Sequence, residues 1–167
     1  MFGKKEATPG DIAGGLEVFL KIDAPTFKAI NNISSDPSIQ EKICFEIFLL
    51  VLFSIDNSLY FVLGNSKGKA AIMDHILVNF LKKVPEGDPA GFIDLVNQRQ
   101  IEYARAFKTP HHLGTPYVIG KKFSEFISDT TDLKLSTAYL GSVVFTTVGA
   151  AVSKMIRDIL KKYKIKL

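Results

Sequence analysis

Prolines constrain this chain more than any other residue, and they read as helix boundaries. Pro9 follows Thr8, Pro37 follows Asp36, Pro89 follows Asp88, and Pro116 follows Thr115. In each pair a side chain suited to the N-cap precedes a proline suited to the first helical position, where its missing N–H costs nothing. Asp11, three residues after Thr8, outlines a capping box. Pro25 lies two after Asp23 and fits the scheme less closely, while Pro85 and Pro110 stop apolar periodic stretches.

This punctuation predicts helices near 9–22, 25–33, 37–63, 68–84, 89–108, 116–128 and 131–163, with short connections. The expected fold class is all-α: a compact single domain over 1–167, a bundle of six to seven helices. Helices 37–63 and 131–155 should be its two central buried members. The alternative is an α+β fold with a small sheet. Residues 16–23 alternate as a strand would, and residues 143–148 are rich in β-formers.

With 167 residues, 47% of them hydrophobic and 23% charged, the chain can close one real core and is far from a disordered composition. Its single cysteine, Cys44, cannot form an intramolecular disulfide, which suits a reducing compartment. The first residues, MFGKKEATPGD, lack the apolar run of a secretion signal. A cytoplasmic location is the expectation.

Two segments test that expectation. Residues 43–63, ICFEIFLLVLFSIDNSLYFVL, match a bilayer in length, but Glu46, Asp56, Asn57 and Ser58 interrupt them. An acid near the middle of a spanning helix costs about 2.5–3.5 kcal/mol. The charge-free run 47–55 has nine residues where a bilayer needs roughly twenty. That pattern suits the enclosed helix of a bundle. Residues 135–153 are uncharged throughout and precede a basic tail, yet carry three Ser, three Thr and two Gly. So much hydroxyl favours a protein core over hydrocarbon. Ala138, Ser142, Thr146, Gly149 and Ser153 form a column of small residues that lets another helix approach closely, within the subunit or from a second copy.

Candidate chemistry is sparse. The GNSKGKA stretch, 64–70, has a Gly-Lys pair but is one residue short of a phosphate-binding loop. It places Ala70 where a magnesium-ligating hydroxyl belongs, so it reads as a helix stop and restart. His111 and His112 are the most metal-like pair, although two imidazoles make an incomplete site and no third ligand is spaced to complete it. The run Asn97, Gln98, Arg99, Gln100 exceeds one helical turn, so some polar group must turn inward between Val96 and Tyr103. An inward Arg99 or Gln100 needs a partner, and Glu46 or Asp56 would serve. The internal network is the favoured reading, and a ligand pocket with Arg99, Gln100 and Tyr103 is the other.

Charge is uneven. From 154 to 167 six basic residues (Lys154, Arg157, Lys161, Lys162, Lys164 and Lys166) meet one acid, Asp158; this +5 segment sits in a chain of net charge +4, leaving −1 elsewhere. The segment reads as a basic amphipathic helix end that docks its apolar side or meets an anionic surface. Nucleic acid is the least favoured partner, because the body is slightly negative. With no complete catalytic constellation and no cofactor motif, the expected function is a non-catalytic interaction or assembly module. Its expected partner is itself. Peripheral or anchored membrane association through the C-terminal segment is one alternative; a small-ligand binder or enzyme at Arg99, Gln100 and Tyr103 is the other.

Overall fold

The computed structural model describes residues 5–82, 88–128 and 130–166. Along them run β1 (Lys5–Ala7), α1 (Pro9–Leu16), a 3-10 turn (Glu17–Leu20), α2 (Ala24–Ile33), α3 (Pro37–Leu63), α4 (Lys67–Leu81), α5 (Pro89–Lys108), α6 (Thr115–Ile127), α7 (Thr131–Lys162) and β2 (Tyr163–Ile165). The all-α architecture is as the punctuation requires. Thr8 and Asp11 form a reciprocal capping box. The carboxylates of Asp23, Asp36 and Asp88 accept the first free N–H groups of α2, α3 and α5. The expected end of the fourth helix near 84 and the stop at Pro85 lie outside the described residues.

Several local expectations are corrected. The helix expected over 9–22 ends at Leu16; of the alternating residues 16–23, those at 17–20 form a 3-10 turn and those at 21–23 link it to α2, while 143–148 lie inside α7. Helix α6 is not capped by Thr115; Gly114, at φ 81°, takes the N-cap and Thr115 is the first helical residue. Gly114 closes a turn by donating its N–H to the His111 carbonyl and then enters the helix at φ 81° and ψ 169°, a backbone conformation open to glycine and hardly to other residues. The final helix ends at Lys162. Beyond it β2 pairs in parallel with β1, Glu6 opposite Lys164, and the Lys166 side chain reaches Glu6 at 3.0 Å. The alternating Tyr163 and Ile165 suit a strand, but only a partner from the opposite end of the chain makes one of them.

Helix α3 is the centre. Residues 46–55 are buried without a break, so every side of the helix is covered. Helices α2, α4, α5, α6 and α7 and the 3-10 turn all touch it. Aromatic rings join the layers: Phe48 stacks on Phe80 at 4.1 Å and Phe80 on Phe92 at 5.2 Å, tying α3, α4 and α5. Phe53 stacks on Tyr103 and lies 6.1 Å from Phe145 of α7.

Helices α6 and α7 form a close hairpin. A Cβ on Gly120 would collide with the carbonyl of Ala138 and with Ser142, and one on Gly141 would collide with the Phe123 ring. The Ser142 hydroxyl donates across the gap to the Pro116 carbonyl at 2.9 Å. On Gly120 the obstacle is backbone, which cannot swing aside. Gly120→Ala should therefore cost about 1–3 kcal/mol through overpacking. Gly14→Ala, in a helix with open space around the new methyl, should gain about 0.5–1 kcal/mol. Urea unfolding of the two variants beside the parent checks both signs.

Candidate functional site

The inward polar group predicted on α5 is Arg99, and its partner is Glu46. Arg99 Nε lies 3.1 Å from each Glu46 carboxylate oxygen, and the Tyr103 hydroxyl donates to Glu46 Oε1 at 2.9 Å. The guanidinium carbon lies over the ring of Phe126 of α6, 3.7 Å from its centre. Glu46 is buried and Tyr103 fully so. One cluster thus joins α3, α5 and α6. Gln100 is half-buried and takes no part in these bonds to Glu46. Asp56 pairs elsewhere, with Lys69 at 2.6 Å.

Burial pushes the Glu46 carboxyl above its usual range, and the Arg99 charge and the Tyr103 hydrogen bond offset only part of that. Burial, then the neighbouring Glu46 charge, pushes the Tyr103 phenol well up, so it stays protonated and keeps donating. Among the described residues no buried side-chain N or O lacks a hydrogen-bond partner. These groups face one another. An apolar groove lies elsewhere, and Glu46, Arg99 and Tyr103 do not line it.

That groove, about 560 Å³, runs between the 3-10 turn, α2, α3 and α7. Val18, Phe19, Ile22, Val51, Val144 and Val148 make its walls apolar. It borders a feature that composition concealed. The most apolar stretch of α3 is 67% buried, whereas that of α7 is only 28% buried. Helix α7 is central on its inner side and open on its outer one. Leu135 and Tyr139 are 78% and 75% exposed, and Val143 is exposed beside them. The expectation of two buried central helices therefore holds for α3 and for one side of α7. A run of uncharged residues does not reveal which side its neighbours cover.

The column of small residues serves partly inside the subunit. Ala138 and Ser142 receive Gly120, and the Gly149 carbonyl accepts from Ser58 of α3 at 3.3 Å. Thr146 is exposed and Ser153 half-buried. His111 and His112 stack at 4.4 Å on an exposed loop, with His111 also 4.8 Å from Tyr117. The Leu113 N–H donates to His111 Nδ1, which takes that nitrogen from any metal. Among the described residues no three or more His, Cys, Asp or Glu side chains gather as a metal site would need. At the basic end, Lys154 and Lys161 each reach Asp158 at 3.1 Å, while Arg157, Lys162 and Lys164 are exposed.

Comparison with family models, curated proteins and solved structures finds no match to this chain.

The Glu46 cluster makes a prediction of its own. Arg99→Met leaves a buried carboxylate without its cation and should cost about 3 kcal/mol, the low end for a broken buried pair because the Arg99 side chain keeps 18% exposure. The double variant Glu46→Gln, Arg99→Met should recover most of that. Folded Glu46 holds its proton to higher pH than unfolded Glu46, so its contribution is greatest under acid conditions. It is lost as pH rises from the ordinary glutamate range through the raised folded value. Denaturant unfolding across that range should show a falling slope in the parent that Glu46→Gln removes.

Proposed function

We propose that this protein is a non-catalytic helical module that works by contact, with the outer face of α7 as its contact surface. One observation carries the reading: a helix with an apolar stretch of mean hydropathy 1.5 lies at the surface with 28% of that stretch buried. Exposed apolar area of this kind marks an interaction surface more often than chance decoration. The Glu46 cluster supports the same reading, because its polar groups are spent on one another and leave a rigid scaffold behind the face. Self-association is the simplest form of such contact. Sedimentation of the purified chain over a concentration series should show mass rising above one chain. Val143→Glu, an exposed substitution that should leave the melting temperature near the parent's, should return it to a single chain. A parent that stays at one chain throughout counts against self-association.

A second reading is favoured by one further feature. The α7 face continues into Lys154, Arg157 and Lys161, all exposed. An apolar stripe passing into a basic one suits the surface of an anionic membrane. On that reading the chain co-sediments with phosphatidylserine vesicles at low salt. Binding should weaken at least tenfold in Arg157→Glu and fade as salt rises.

A further inference from the structure

The pattern of α7 names a partner for its exposed face. Asp132 and Lys154 each lie eleven residues from Val143, one on either side. Eleven residues are close to three whole helical turns, so both charges return to within about 20° of Val143, and each stands about 16 Å from it along the axis. Asp132, Tyr139, Val143, Ala150 and Lys154 are all exposed, on this one face. The face thus carries an acid at one end, a base at the other and apolar or small residues between.

We infer that this face is the two-fold interface of an antiparallel homodimer centred on Val143. The inference rests on the contact reading above and specifies its geometry. In an antiparallel pair about that centre, Val143 meets Val143 of the second copy. Asp132 of each chain falls opposite Lys154 of the other, giving two ion pairs from one sequence pattern. Tyr139 falls over Thr146 and Ala150 of the second copy, side chains small enough to receive the ring. A parallel pair would bring Asp132 to Asp132 and Lys154 to Lys154. Charge therefore selects the antiparallel arrangement. An anionic membrane gains nothing from Asp132 on the same face. Among the described residues Lys154 pairs with Asp158, and the two side chains are 82% and 44% exposed, so little is lost when Lys154 turns to another acid. The strip is about 33 Å long, and one helix face covers less than the roughly 800 Å² per partner of a standard stable interface. A reversible dimer in the micromolar range is the expected strength.

Charge reversal tests the register in the full chain. Asp132→Lys and Lys154→Glu, both exposed, should each weaken dimerisation at least tenfold in sedimentation equilibrium. An equimolar mixture of the two should dimerise again, because each copy then supplies the charge the other needs. Recovery on mixing supports the inference. Single reversals that leave the dissociation constant within threefold overturn the antiparallel register, as does a mixture that fails to recover. If Val143→Glu still abolishes association in either case, the α7 contact surface stands and only its geometry falls. A parent that is a single chain at every concentration overturns the homodimer itself. Melting temperatures of all variants, expected near the parent's, separate lost contact from lost fold.

Discussion

A carboxylate on an otherwise apolar, enclosed helix has to be answered, and the answer to Glu46 organises much of this molecule. Helix α3 is covered on all sides from residue 46 to residue 55, so no rotation returns the charge to water. Arg99 and Tyr103 must therefore come to it from α5, and Phe126 of α6 closes over the guanidinium. Register and facing of three helices are set by one charge that has nowhere else to go. Burial keeps the pair from being a strong source of stability. Its value lies in specificity, since misplacing α5 by one residue would leave Glu46 buried and alone.

Around that centre the packing is of two kinds. On the α4 and α5 side, aromatic rings fill volume: Phe48, Phe80 and Phe92 stack in series. On the α6 and α7 side, glycines and small hydroxyl residues bring backbones together, with Gly120 on Ala138 and Ser142. The second kind leaves α7 held firmly along its inner side. Its outer side, with Tyr139 and Val143, is left without cover. The rigid scaffold and the open face are thus consequences of one choice of residues on α6 and α7.

Much of this was legible locally. Caps and prolines act through bonds to the next two or three residues, so Thr8, Asp23, Asp36 and Asp88 announced their helices correctly. Arg99 was legible as an inward group because four polar residues cannot all avoid the covered side of a helix. The choice between Glu46 and Asp56 was not, because both lie on α3 and only packing decides that Lys69 takes Asp56. Phe126 as the cover of Arg99 was not legible either, since nothing in the order of α6 marks it. Composition alone does not separate the outer face of α7 from core, because its residues between 135 and 153 are as uncharged as those of the inner face. Local hints were the return of Asp132, Ser136, Thr147 and Lys154 to the Val143 side.

The amino-acid order by itself determined where α1, α2, α3 and α5 begin, that α3 would be enclosed, and that a polar group on α5 would turn inward. These rest on interactions within a few residues and on helical periodicity. Only the tertiary structure decided which acid Arg99 meets, that the two chain ends pair as strands, and which side of α7 stays open. Each of those depends on contacts between segments tens of residues apart, and the free energy of such a contact is written in no single stretch of chain.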